Sequence, residues 1–110
     1  MSFENLLLES DRGVAVLTIN RPRVLNAMDQ LTLDELDRAF TELFADEAVR
    51  AIILTGAGEK SFAAGGDISG LLKLDPLAAR RMALQVQKTF SVIEKGPKPV
   101  IAAVNGFALG

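Results

Sequence analysis

Ala51-Ile52-Ile53-Leu54-Thr55, followed directly by Gly56-Ala57-Gly58-Glu59-Lys60-Ser61, is the stretch that decides the fold class. Four consecutive apolar residues without polar alternation read as a buried strand, and a parallel partner is the natural neighbour for such a strand. Working upstream, Leu33, Leu36, Phe40, Leu43 and Phe44 fall on one helical face, with Asp34, Asp37, Arg38 and Glu42 opposite. Thr32 and Glu35 read as a capping box for this helix, and Leu31 with Leu36 as its hydrophobic staple. Before it lies a loop, Asn20-Arg21-Pro22-Arg23-Val24-Leu25-Asn26, because Pro22 biases Arg21 toward extended geometry. Earlier still, Leu6-Leu7-Leu8 and Val14-Ala15-Val16-Leu17-Thr18-Ile19 form an expected hairpin about the turn Ser10-Asp11-Arg12-Gly13. The second of these strands is apolar nearly throughout, which implies cover on both faces.

Downstream, a short helix is expected to open at Asp67. A long one follows, with Asp75 as N-cap and Pro76 at its first position. Ala79, Ala83, Val86, Phe90 and Ile93 repeat at helical spacing, and Gly96-Pro97 stops the helix. A final strand over residues 99–104 ends at Asn105-Gly106. Strands alternating with helices make this an α/β layered fold.

The chain has 110 residues, enough for one small domain. It is 49% hydrophobic and 24% charged, with a mean hydropathy of +0.26, too apolar for a disordered chain. A net charge of −2 argues against nucleic acid as a partner. There is no Cys and no His, which excludes disulfides, zinc–sulfur sites, a Ser–His–Asp triad and imidazole acid–base chemistry. No metal site is expected, and any catalysis must use carboxylates, lysines, hydroxyls or the main chain. The acidic start Met1-Ser2-Phe3-Glu4-Asn5 is not a signal-peptide n-region, and the apolar residues 100–110 are too few to span a bilayer. A cytoplasmic protein without a membrane partner is therefore expected.

The glycine-rich loop after Thr55 invites a phosphate reading, which fails twice. Ser61 occupies the third glycine of a G-x-G-x-x-G pattern, and Glu59 stands where a P-loop needs Gly before Lys60. Ala63-Ala64-Gly65-Gly66-Asp67 carries more. Small residues let a ligand approach the backbone, and an unobstructed Gly66 N–H at a helix start can hold a carbonyl oxygen that becomes negative. Taken alone, the motif reads first as an ordinary tight turn with Asp67 as its N-cap. A second glycine-rich strand-to-helix junction, Asn105-Gly106-Phe107-Ala108-Leu109-Gly110, adds weight because an oxyanion hole needs two converging donors. The apolar ending Phe107-Ala108-Leu109-Gly110 has no polar tail, so the chain is expected to be cut in mid-structure.

Three segments together resemble the N-terminal part of the enoyl-CoA hydratase/isomerase (crotonase) family. They are Asn20-Arg21-Pro22-Arg23-Val24-Leu25-Asn26-Ala27; Ile53-Leu54-Thr55-Gly56 through Ser61-Phe62-Ala63-Ala64-Gly65-Gly66-Asp67-Ile68; and Lys98-Pro99 through Gly110. The resemblance covers almost the whole chain and is closest to short-chain enoyl-CoA hydratases. It implies that residues 1–110 are the N-terminal part of a single acyl-CoA-binding domain. The implied fold is a crotonase-like ββα spiral, truncated before the helix that carries the second oxyanion donor. It further implies an acyl-CoA substrate, no separate cofactor (coenzyme A being part of the substrate), and a trimer or hexamer when full length. By position, Gly66 matches the backbone donor of the oxyanion hole, where relatives often have Ala. Ala64, Asp67, Ile68 and Ser69 match positions lining the CoA tunnel, and Val24 and Leu25 match the loop over the pantetheine and nucleotide. Arg21 and Arg23 are either simply solvated or available to CoA phosphates. None of Glu4, Glu9, Glu35, Glu42, Glu47, Glu59 and Glu94 matches a catalytic glutamate, and the two in the first helix read as solvated. The implied reaction is hydration of a trans-2-enoyl-CoA. A Δ3-Δ2 isomerase, a thioester hydrolase, a decarboxylase or an inactive CoA-binding fragment are the alternatives.

Overall fold

The computed structural model describes residues 2–110. β1 (Leu6–Asp11) and β2 (Val14–Ile19) pair antiparallel from Leu6 opposite Ile19 to Asp11 opposite Val14. Arg12 and Gly13 make the turn with φ of 53° and 85°, the left-handed geometry whose twist suits a two-residue hairpin. β2 then pairs parallel with β3 (Ala51–Gly56), and β3 pairs parallel with β5 (Val100–Ala103), giving the order β1-β2-β3-β5. The parallel partner expected for residues 51–55 is thus present on both sides.

Helix α1 (Gln30–Ala45) makes the crossover from β2 to β3. Its Leu36, Ala39, Phe40 and Leu43 pack with Ala15, Leu17, Ile19 and Ile52 of the sheet into one core. Cover on both faces of β2 is not what the structure shows. Ala15, Leu17 and Ile19 are buried while Val14, Val16 and Thr18 are only half-buried, because α1 closes one face alone.

The start of α1 also differs from expectation. Asp29 is the N-cap, its Oδ1 accepting from Thr32 N at 2.9 Å and from Thr32 Oγ1 at 2.6 Å. Thr32 is therefore a donor inside the first turn, and Leu31 is exposed rather than stapled to Leu36. Glu35 is not a solvated residue but 4% exposed, its two oxygens accepting Glu4 N and Asn5 N at 2.7 Å each. Pinning a segment thirty residues away outcompetes closing its own helix, since two charge-assisted bonds exceed one capping contact. Glu42 is exposed as expected.

β4 (Ser61–Ala63) leads to the short helix α2 (Ile68–Leu71), capped by Asp67, and then to α3 (Pro76–Lys95), capped by Asp75. Thr89 Oγ1 of α3 donates to Asp37 of α1 at 2.5 Å, and Gln85 donates to Asp34 and Asp37 at 2.8 and 3.2 Å. Two acids on the outer face of α1 thereby become acceptors for α3. Beyond β5 the chain forms β6 (Phe107–Ala108), parallel to β4, in place of a strand-to-helix junction at Asn105-Gly106. No helix among the described residues is long and apolar enough to cross a membrane.

Candidate active site

The segment after the 3-10 turn Pro22–Val24 runs alongside the segment after β4. Ala64 N donates to Leu25 O at 3.1 Å, Met28 N to Gly65 O at 2.8 Å and Asp67 N to Met28 O at 2.9 Å. Gly66 faces Met28 in this short parallel pairing. In such a ladder the flanking residues make the cross-strand bonds, so the N–H of Gly66 itself turns to the opposite side. Among the described residues it donates to no protein acceptor.

That opposite side is a cavity of about 420 Å³ bordered by Met28, Leu71, Met82, Val86, Phe90 and Gly110. Among the described residues that line it, Gln87 is the only one with a polar side chain, and no Asp, Glu or Lys is among them. A carbonyl oxygen placed there would meet one N–H in apolar surroundings, where such a donor is worth far more than in water. The helix-start contribution expected for Gly66 is small. α2 is four residues long and Gly66 precedes its cap, whereas the dipole acts within the first turn.

The two glycine-rich segments do converge. Leu109 N donates to Ala63 O at 2.9 Å, and a Cβ on Gly65 would lie 2.8 Å from Gly110 O. Gly65 also has φ +88°, so both space and conformation call for glycine there. Gly66 is less constrained: its nearest neighbour would be Leu71 Cδ1 at 3.1 Å, the end of a flexible side chain.

Of the site residues that the family likeness implies, Gly66 alone is among the described residues bordering this cavity. Ile68 is 70% exposed and Ser69 is exposed, its N–H donating to Asp67 Oδ1 at 3.0 Å. Ala64 is half-buried in the pairing with Leu25. Val24 and Leu25 are exposed, Leu25 at φ 55°, and the Leu25 carbonyl also accepts Ser61 Oγ at 2.6 Å. Leu25 borders a separate cavity of about 350 Å³ with Pro22, Asn26, Gly58 and Lys60.

Arg21 is neither solvated nor free for phosphate. Its side chain is 19% exposed, and its guanidinium lies between Asp67 Oδ2 at 3.1 Å and Asp29 Oδ2 at 3.4 Å and donates to Ala27 O at 2.6 Å. A cation already flanked by two carboxylates has no charge left to offer an anion. The Arg21 hydrogen bond holds the Asp67 carboxyl below its ordinary value of 3.8. Arg23 is exposed.

Two asparagines had no role assigned by sequence. Asn26, fully buried at φ 59°, donates to Ala57 O and Ser61 O at 3.0 and 2.8 Å and accepts from Arg21 N at 2.9 Å. Asn105 donates to Gly56 O, Gly58 O and Ser61 O, and accepts from Gly56 N. Both hold the loop between β3 and β4. The available signal was an amide side chain at the edge of apolar sequence, where a turn-former with a local donor is useful.

The family model for enoyl-CoA hydratase/isomerase matches residues 9–110. The chain is 50% identical over all 110 residues to the short-chain-enoyl-CoA hydratase of Clostridium acetobutylicum and 49% identical to the crotonyl-CoA hydratase of Syntrophomonas wolfei. It spans 42% of the length of each of these relatives. Among solved structures, an enoyl-CoA hydratase from Bacillus anthracis superposes with a TM-score of 0.94 at 34% identity, over 97% of this chain and 42% of that one.

Proposed function

The chain belongs to the enoyl-CoA hydratase/isomerase family, and from that membership we propose that its protein hydrates trans-2-enoyl-CoA thioesters to 3-hydroxyacyl-CoA. The observation that carries this reading is the Gly66 N–H, unpaired and facing an apolar cavity. The thioester oxygen accepts from this N–H and gains negative charge as the Cα–Cβ double bond takes up water. Hydroxide adds at Cβ, the enolate forms on Cα and the oxygen, and a proton then arrives at Cα. A single donor of this kind contributes about 2.7–4 kcal/mol to the transition state.

Ala64, Asp67, Ile68 and Ser69 would line the path of the CoA moiety, with Val24 and Leu25 covering its pantetheine and nucleotide. The groups that activate water and deliver the proton have to be acids or bases, and no carboxylate borders the cavity. They lie outside these 110 residues, together with the second oxyanion donor. The 110 residues by themselves therefore supply a polarising donor and apolar walls, without turnover.

The test is an assay of the intact protein and of the 110-residue chain with crotonyl-CoA. Formation of 3-hydroxybutyryl-CoA by the intact protein alone is the expected result. Hydration by the 110-residue chain would remove the need for outside carboxylates. Conversion of a trans-3-enoyl-CoA to its trans-2 isomer without hydration would assign the same donor to an isomerase.

A further inference from the structure

We infer that Arg21 is a positioning residue for the Gly66 donor, gripping from both sides the short backbone ladder that aims it. This rests on the oxyanion reading of Gly66 given above. The ladder is held by Met28 N to Gly65 O at 2.8 Å and Asp67 N to Met28 O at 2.9 Å. Among the described residues, each partner of the Arg21 guanidinium, one carbonyl and two carboxylates, lies next to Met28 or Gly66 in sequence. Ala27 O, at 2.6 Å, precedes Met28; Asp29, at 3.4 Å, follows it; and Asp67, at 3.1 Å, follows Gly66. One planar cation thus ties the two chains together beside the residue whose N–H faces the cavity.

The arginine is itself fixed. Its backbone N–H donates to the buried Asn26 Oδ1 at 2.9 Å, and its carbonyl accepts Asn26 N at 2.9 Å. Its side chain is 19% exposed, so water competes little for its donors. The geometry asks for several donors in one plane, which a lysine ammonium does not provide. The two carboxylates it joins are also the N-caps of α1 and α2, so the clamp sets the entry of both helices around Gly66. Misplacing a reacting group by about 1 Å costs on the order of a hundredfold in rate, and this scale makes a rigid mount for a backbone donor consequential.

Arg21→Met and Arg21→Lys in the intact protein test the assignment, with Asp67→Asn as the variant from the other end. Nitrogen–proton NMR without ligand reads the Gly66 and Asp67 amides directly. Arg21→Met is expected to shift both resonances and to speed exchange of the Asp67 amide by about tenfold, leaving the amides of β2 and β3 unmoved. Asp67→Asn is expected to give the same pattern, and combining it with Arg21→Met to add little, as for two ends of one interaction. With crotonyl-CoA, kcat should fall by about ten- to a hundredfold with KM within about threefold, and Arg21→Lys should recover part of the loss. Unmoved Gly66 and Asp67 amides would overturn the inference, as would exchange rising equally across β2 and β3 in both Arg21 variants. If Arg21→Met does not fold, Arg21→Lys carries the same readouts. A wild-type protein without turnover would sink the hydratase reading, and the amide readout would still decide the clamp.

Discussion

α1 and α3 carry the same kind of apolar stripe, yet the protein uses them differently. α1 buries seven residues, among them Leu33, Leu36, Phe40 and Leu43, whereas α3 buries only Thr89. Leu77, Leu84, Phe90 and Val92 of α3 remain exposed. Hydrogen bonds join the helices along a polar seam, with Gln85 and Thr89 donating to Asp34 and Asp37 and Gln30 donating to Gln85, while Ile93 packs against the core. Periodicity therefore says which face of a helix is apolar, and not what lies against it. In α1 the stripe meets a sheet; in α3 Ala79, Ala83, Val86 and Phe90 border the cavity beside Gly66. An apolar face left open is what a binding cavity is made from.

The largest expected effect separates the two helices directly. Phe40→Ala, at a site 1% exposed, should cost about 3–5 kcal/mol in denaturant unfolding, the usual penalty for emptying a packed aromatic site. Phe90→Ala, at 41% exposure, should cost less than about 1 kcal/mol. Similar costs for the two in the intact protein would break the comparison and show the face of α3 to be covered there. Next, Glu35→Ala strips the acceptors from Glu4 N and Asn5 N and should cost about 3 kcal/mol, far more than an exposed acid such as Glu94. A cost below about 0.5 kcal/mol would return Glu35 to the solvated face.

Smaller effects sharpen the contrast at the cavity rim. Gly65→Ala, at φ +88° and against Gly110 O, should destabilise by about 1–2 kcal/mol. Gly66→Ala meets only Leu71 and should change stability by less than about 0.5 kcal/mol, with turnover kept within a few-fold. The reverse order would mean that the backbone at Gly66 is not the one described. The smallest effect is one of acidity. The Arg21 hydrogen bond lowers the Asp67 pKa below 3.8, so its contribution is complete above that value and lost as pH falls through the depressed one. The Asp67 and Ser69 amide resonances should stay constant from about pH 5 to 8 and move only in strong acid. Movement near neutrality would point to another titrating group.

Much of the fold was legible because its determinants are local. Largely apolar runs at residues 51–55 and 14–19 marked two strands, the first with its parallel partner, and Asp67 and Asp75 announced their helices as N-caps. The cap of α1 was misread because two patterns overlap there. Asp29 and Thr32 stand three apart just as Thr32 and Glu35 do, and what decides between them is that Glu35 bonds to Glu4 and Asn5, about thirty residues away. β6 escaped notice because two residues carry no period. At the candidate site, the place of Gly66 on the cavity border agrees with what its small neighbours and the family likeness suggested. Arg21 was not, because its role exists only once residues 25–28 lie beside residues 64–67.

The donor proposed at the cavity border is part of the main chain, and that sets how the site could be damaged. On the proposed oxyanion reading, an alanine scan of the cavity would leave the Gly66 N–H in place and pass over the donor itself. Among the encoded residues only proline deletes this hydrogen. Semisynthetic replacement of the Gly65–Gly66 amide by an ester removes it without adding a ring. On that reading the donor survives replacement of Gly66 by any encoded residue but proline, and its placement depends on the residues that pair beside it.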